Sequence, residues 1–338
     1  MIIIGFGTIG RAFAELVWKS SDWLRKQHGI TPQIVAIADR GGAMIAQDGI
    51  NLEEALLARK SSGSVAFHKT LGQRNVDALQ VIDSVEADVL LEFTPTNLPD
   101  AEPGLTHIES AIKKGLNVIT TNKGPLAIAM PSLLELADYQ RVQFRFSGTV
   151  GGGTPYLDFA KKCLSGDKIR SIQGILNGTT NYILTRMFDA GITMKEALKE
   201  ASRAGYAEAD SSYDINGIDT ASKLVIISNW IMGRRVSIRD VEIEGISNVT
   251  LDQVDQAKRS GNAVKLVGFV DDSQISVRPR LVPLDDPLCV KGTLNAVVFK
   301  TEQVGNLTVT GRGAGGSETA SAALRDLIDI KTALIGVK

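Results

Sequence analysis

Cysteine, net charge and long apolar runs are all scarce in this chain, and each scarcity removes a class of protein. Two cysteines in 338 residues, Cys163 and Cys289, support neither a disulfide scaffold nor a thiolate metal centre and suit a reducing cytoplasm. A formal net charge of −1 argues against a nucleic-acid or membrane-surface partner. No apolar run approaches the roughly 18 residues of a spanning helix. Met1-Ile-Ile-Ile is strand-like with no basic segment before it, so a protein that is neither exported nor membrane-bound is expected. The 43% hydrophobic and 22% charged content is ordinary for a globular chain, and the length exceeds what one core usually serves, which predicts two domains.

Gly5-Phe6-Gly7-Thr8-Ile9-Gly10 follows the first apolar strand directly and opens a helix in which Ile9, Phe13, Leu16, Val17 and Leu24 recur at helical spacing before Gly29. Glycines in that context allow a tight turn, close approach of backbone to a pyrophosphate and close helix–strand packing, with the helix N-terminus facing the phosphates. Without the flanking strand and helix the hexapeptide would be a weak signal. Gln33–Ala38 is a second strand ending at Asp39-Arg40. Asp39 would accept bonds from a ribose 2′-OH and repel a 2′-phosphate, whereas Arg40 would attract that phosphate.

Residues 41 to 87 read as loop and helix, with Asn51-Leu-Glu-Glu54 starting the helix. Strands at Asp88–Phe93, Asn117–Thr120 and Val142–Phe146 alternate with helices, one near Glu102 to Lys114 and one starting at Pro131. The alternation predicts an α/β domain of Rossmann type around a parallel sheet, whose carboxyl-terminal strand ends carry Thr94, Thr121 and Lys123. Gly148-Thr-Val150-Gly151-Gly152-Gly153-Thr-Pro155 then marks a boundary, three glycines before a proline-started helix implying unusual backbone. Beyond it, strands over Lys168–Leu176, Ala263–Val270, Ile275–Pro283 and Ala296–Glu302, with helices gathered between the first two, predict an α+β domain with an antiparallel-tending sheet.

The densest chemistry lies between Gly205 and Lys223, where Glu208, Asp210, Asp214, Asp219 and the lysine fall within nineteen residues. Thr193-Met-Lys-Glu196 is a capping box opening a helix that Gly205 ends, and Asn216 could cap a second helix through Asp219, Lys223 and Ile227. Asp219 and Lys223 are four apart and share a face. Alone, such a pair is usually a solvated salt bridge. Here the helix continues as Leu-Val-Ile-Ile-Ser-Asn-Trp-Ile-Met, apolar on nearly every face and therefore expected to be buried. Asn177-Gly-Thr179-Thr-Asn181 reads either as a turn with a helix cap or as a source of amide and hydroxyl groups for a substrate.

Ala201-x3-Gly-Tyr-Ala-Glu208-x-Asp210, followed by Asp214-Ile-Asn-Gly-x-Asp219-x3-Lys223, resembles the signature of homoserine dehydrogenases. Asn177–Asn181, Thr120–Lys123 and Gly311–Gly316 extend that resemblance over essentially the whole chain, with Ser211 standing where the family usually has proline. The resemblance implies an NAD(P)-dependent oxidoreductase interconverting L-aspartate 4-semialdehyde and L-homoserine in threonine, methionine and isoleucine biosynthesis. It further implies Lys223 as the proton-transferring group, Asp219 as its orienting partner, and Lys123 at the nicotinamide end of the cofactor, lowering the pKa of its fellow lysine. Glu208, Asp214, Asn177 and Thr179 would receive the substrate. Gly5, Phe6, Gly7, Thr8, Ile9, Gly10, Asp39, Arg40, Thr94, Thr121 and Gly315 would hold NADP or NAD.

In relatives the glycine-rich boundary holds a monovalent cation such as sodium, for which Val150 and Gly152 are the expected ligands, although Ser147 stands where a glutamate contributes. The tail returns to the nucleotide domain, giving expected domains of 1–147 with 306–338 and of 148–305 for substrate and dimerisation. A short, monofunctional homodimer is expected, since neither a kinase half nor a regulatory module is present. Two other readings stay open: an aspartate-semialdehyde dehydrogenase, which needs a cysteine nucleophile near a base, and a non-enzymic NAD(P)-binding sensor.

Overall fold

Short runs of apolar residues, buried on both faces, build the central strands of the first sheet of the computed structural model, which describes residues 1–207 and 210–335. Its strands are β1 (Ile2–Ile4), β2 (Ala36–Asp39), β3 (Gly42–Ile45), β4 (Gly72–Gln73), β5 (Val89–Glu92), β6 (Asn117–Thr120) and β7 (Phe144–Arg145), in the spatial order β4-β3-β2-β1-β5-β6-β7. β1 pairs in parallel with β2 and β5, and β6 continues the parallel set to β7. The chain therefore leaves β1 toward one side for β2 and returns on its other side for β5, which makes the carboxyl ends of β1 and β5 the switch point where ligands bind in such sheets.

β3 and β4 are antiparallel additions beyond β2. The sequence pattern suggested loop and helix there, because Gly42–Ile45 is too short to alternate and its register comes from pairing with β2. The helix expected from Pro131 begins earlier: it runs Lys123–Gln140 with non-helical backbone at Ala129, so the proline starts only the second half.

The chain divides into two compact units, Met1–Thr149 together with the segment from Gly315 on, and Val150–Ala314. In the first, Phe13, Val17 and Leu24 share one core with Ala320, Ala323, Leu324 and Leu327 of the terminal helix. The Ser147 hydroxyl and backbone N–H both donate to Asp326, at 2.5 and 2.9 Å, tying that helix to the end of the sheet region.

The second unit carries β8 (Ile169–Ile175), β9 (Glu242–Ile243), β10 (Asn262–Asp271), β11 (Ile275–Pro283), β12 (Leu294–Thr301) and β13 (Asn306–Arg312), ordered β13-β12-β8-β10-β11-β9. All neighbours are antiparallel except β11 and β9. Residues 306–312, placed by the sequence reading with the nucleotide domain, are the outer strand of this second sheet. Their inward residues are only half-buried, so the apolar signal of a strand is weak there.

Behind β10, Lys265 is 3% exposed and donates to the Asn181 side-chain oxygen at 2.7 Å, the Val290 carbonyl at 2.7 Å and the Thr185 hydroxyl at 3.3 Å. All three acceptors are neutral, and burial pulls the ammonium pKa down from 10.5 to about 8. A lowered folded-state pKa on a base means that the charged form costs stability below about pH 8, a cost relieved as pH rises toward 10.5. Unfolding free energy is therefore expected to rise between pH 8 and 10 by up to roughly 3 kcal/mol. Chemical denaturation of the parent beside Lys265→Met checks this, since the variant loses that part of the rise.

Candidate active site

Gly5 has φ +94°, and a Cβ on it would lie 2.6 Å from the Phe93 carbonyl carbon and oxygen, so the turn after β1 closes onto the chain after β5 only with glycine. A Cβ on Gly10 would meet the Gly5 oxygen at 2.2 Å, whereas one on Gly7 would meet nothing within 4 Å. The middle glycine thus borders open space at the start of the helix Thr8–Lys19, whose first N–H groups have no intrahelical acceptor and suit a phosphate. Gly316 stands against Thr8, its Cβ position 2.8 Å from the threonine methyl. This contact brings Gly315, at φ +137°, to the glycine turn.

The expected strand-end residues converge on the same edge through a network that sequence reasoning missed. Glu92 is fully buried and accepts from the Thr94 N–H at 3.0 Å, the Thr94 hydroxyl and the Thr120 hydroxyl at 3.1 Å. Asn122 donates to the Thr94 hydroxyl at 3.2 Å and accepts from the Gly124 N–H at 3.0 Å, capping the helix that begins at Lys123. The buried acid therefore fixes Thr94, and through it Thr121 and Lys123. At the end of β2, Arg40 is exposed and Asp39 is turned toward Ser64, Val65 and Arg59. Arg59 donates to the Phe6 carbonyl at 3.2 Å; it lies on the helix Leu52–Ser62, with nothing in its local sequence to mark it.

In the second unit Lys223 is 7% exposed and Asp219 9%, with the ammonium and carboxylate 2.7 Å apart. Lys223 also donates to the Leu176 carbonyl at the end of β8, at 2.7 Å. Its third N–H has no partner among the described residues. Asn177 caps the helix Gly178–Ala190 by accepting from the Thr180 N–H at 2.8 Å, while its amide group donates to Asp214 at 2.6 Å and Asp219 at 2.9 Å. The cap reading of the Asn177 motif holds, and its amide group is engaged by the two carboxylates. Thr179 donates to the Tyr206 carbonyl at 2.8 Å. Burial, and next the Asp219 charge, push the Asp214 carboxyl up, opposed by Asn177 and Lys223.

Asn216 does not cap the lysine helix: it ends the short helix Ser212–Ile215, and Gly217 at φ +79° starts Ile218–Met232. From Asp219 to Asn229 every residue of that helix is buried. Glu208 lies outside the described residues. Val150 is buried and followed by left-handed Gly151 and Gly152, φ +82° and +56°.

A mainly parallel sheet with a glycine-lined first turn at its switch point makes the first unit a Rossmann-type dinucleotide-binding domain, and the second carries a buried lysine among carboxylates, an arrangement compatible with proton transfer to oxygen in an oxidoreductase. The family model for homoserine dehydrogenase matches residues 155–328. The homoserine dehydrogenase of Methanocaldococcus jannaschii is 44% identical over 330 residues, covering 98% of each chain. The NAD(+)-dependent homoserine dehydrogenase of Pseudomonas canavaninivorans is 38% identical over 98% of this chain and 95% of its own. A hyperthermophilic archaeal homoserine dehydrogenase solved in complex with NADPH is 30% identical, with a TM-score of 0.86 over 98% of this chain and 97% of that one. This chain belongs to the homoserine dehydrogenase family.

Replacing Asn177 by alanine removes a helix cap, worth about 1 kcal/mol, and a donor shared by two carboxylates, worth about 1–3 kcal/mol. Unfolding free energy is expected to fall by roughly 2–4 kcal/mol. The Asp214 carboxyl should also titrate at higher pH, because a group that lowers its pKa is gone. A carbon-13 titration in which Asp214 did not move would contradict the bridge.

Proposed function

We propose that this chain catalyses the NAD(P)-dependent interconversion of L-aspartate 4-semialdehyde and L-homoserine, the step shared by threonine, methionine and isoleucine biosynthesis. The observation that carries this reading is the buried Lys223 ammonium, with two donors engaged and a third uncommitted among the described residues. A bound nicotinamide supplies or takes the hydride. Negative charge then develops on the former aldehyde oxygen, and Lys223 stabilises it and delivers the proton. Asp219 and the Leu176 carbonyl hold the ammonium in one orientation, so little reorganisation accompanies the transfer. Asp214 and Glu208 receive the substrate ammonium, with Asn177 and Thr179 fixing the Asp214 side of the site. Lys123, at the end of β6, adds positive charge at the nicotinamide end of the nucleotide site.

The glycine turn, Thr94, Thr121 and Gly315 are the proposed cofactor contacts, with Asp39 and Arg40 on the adenosine side. The exposed Arg40 supports use of both NAD and NADP, with NADP preferred. For a monovalent cation, Val150 and Gly152 offer carbonyls on a left-handed turn, but Ser147 provides no carboxylate and its hydroxyl is bound to Asp326. Exposed Leu281 and Leu294 on the second sheet support a homodimer formed there, and among the described residues no helix is long and apolar enough to cross a membrane.

An aspartate-semialdehyde dehydrogenase is disfavoured by its missing nucleophile. Burial raises the Cys289 thiol pKa, the opposite of activation, and Cys163 is exposed on the surface. NAD(P)H consumption with aspartate semialdehyde, in the absence of phosphate, separates these readings: turnover supports the proposal, and its absence overturns it.

Lys223→Met keeps the apolar stem and removes the exchangeable proton. Its kcat is expected to fall by roughly 10² to 10⁴, with NAD(P)H affinity nearly intact. A variant retaining more than about a tenth of parental kcat would exclude Lys223 as the proton-transferring group. Arg40→Ala is expected to shift kcat/KM away from NADP, and an unchanged NADP/NAD ratio would remove Arg40 from the cofactor site.

A further inference from the structure

An acidic residue at the end of the second strand ordinarily binds the adenosine ribose 2′-OH and selects NAD. Asp39 occupies that place, yet its acceptor positions are filled from the protein side. Oδ1 accepts from the Ser64 hydroxyl at 2.6 Å and the Gly41 N–H at 2.9 Å, while Oδ2 accepts from the Val65 N–H at 3.1 Å and lies 3.8 Å from Arg59 Nε. A carboxylate has roughly four lone-pair sites, so three donors and a guanidinium leave little for a ligand. The Asp39 side chain is 8% exposed.

Ser64 is the keystone of this arrangement. It is 4% exposed, it caps the turn Val65–Phe67 by accepting from the Ala66 N–H at 3.1 Å, and it donates its single proton to Asp39. The backbone is shaped around that contact: a Cβ on Gly41 would lie 2.3 Å from Ser64 Oγ and 3.3 Å from Asp39 Oδ1. Arg59, engaged with the Phe6 and Gly63 carbonyls, balances the Asp39 charge that would otherwise repel a 2′-phosphate.

We propose that Ser64 is a specificity-determining residue for the cofactor. By drawing the Asp39 carboxylate in among Gly41, Val65 and Arg59, it withdraws the bond that selects NAD and leaves exposed Arg40 to meet a 2′-phosphate. Asp39 is then a positioning residue that organises the β2 end and not a ribose acceptor. This rests on the nicotinamide-dinucleotide reading of the first unit.

The test is binding, measured on the full chain by fluorescence titration with NADH and with NADPH, beside the melting temperature of each variant. Asp39→Asn is expected to melt lower, because bonds from Ser64 and Val65 to a charged acceptor weaken, while its Kd for NADH stays within about twofold of the parent's. A tenfold loss of NADH affinity at unchanged melting temperature would make Asp39 the ribose acceptor and overturn the proposal. Should Asp39→Asn not fold, Ser64→Ala decides. Freeing one acceptor site on a carboxylate is expected to move the Kd(NADH)/Kd(NADPH) ratio about tenfold toward NADH, and an unmoved ratio overturns the role of Ser64. Parent protein that bound neither dinucleotide would instead refute the underlying reading, and this inference with it.

Discussion

Burying a lysine ammonium inside an apolar helix is the constraint on which the second unit turns. Taking such a charge out of water costs several kcal/mol unless a counter-charge and hydrogen bonds meet it in good geometry. Asp219 supplies the charge from one turn earlier on the same helix, and the Leu176 carbonyl supplies an acceptor from the end of β8. Asn177, the next residue in the chain, then donates to the same Asp219 oxygen that meets the lysine. The end of β8, the start of the Gly178–Ala190 helix and the Ile218–Met232 helix are therefore held in one register by a single charge. A slip of any of them would strand either the ammonium or a carboxylate.

That arrangement also sets how the site responds to pH. The Asp214 carboxyl is raised by burial and by the Asp219 charge, so its ionised form costs stability above its folded pKa, and the cost is relieved as pH falls through that value toward 3.8. Peripheral acids behave the other way. Asp240 and Glu196 are lowered by hydrogen bonds from Ser237 and Thr193 at their capping boxes, and their contribution disappears as pH falls through the lowered value. The site and the helix caps thus pull in opposite directions on the acid side. The proposed role of Asp214, receiving a ligand's positive charge, would ease the repulsion from Asp219.

The parts of the fold legible in the sequence were those written as local pattern. Met1–Ile4 followed by three spaced glycines announced the strand, the turn and the nucleotide helix together, because Gly5 and Gly10 answer contacts across the switch point and within a few residues. The Asp219–Lys223 spacing, together with the apolar run that follows, announced a buried ion pair, which the helix from Asp219 to Asn229 bears out. What was not legible depends on partners distant in the chain. β3 and β4 are strands because β2 offers an edge, and β13 because β12 does. Asn216 looked like a helix cap by residue type, but the left-handed turn fell to Gly217, which takes φ +79° without a Cβ penalty. Arg59 and Ser64 gave no signal, since their roles come from reaching residues 53 and 25 positions away.

The two units solve the same problem, holding polar groups still at strand ends, by different means. In the first, Glu92 is fully buried but surrounded by hydroxyl and N–H donors from Thr94 and Thr120, so a carboxylate stabilises a scaffold of neutral backbone and hydroxyl groups. In the second, a carboxylate is matched by an ammonium with a donor to spare. Dinucleotide binding asks for shape and fixed N–H dipoles, which glycine backbone and a helix N-terminus provide without titrating. Proton transfer asks for a group whose proton can leave, and only the second arrangement has one. The proposed chemistry therefore follows the distribution of buried charge: Glu92 is held by donors from the fold, whereas Lys223 meets two acceptors among the described residues, which leaves the proposed proton transfer its third donor.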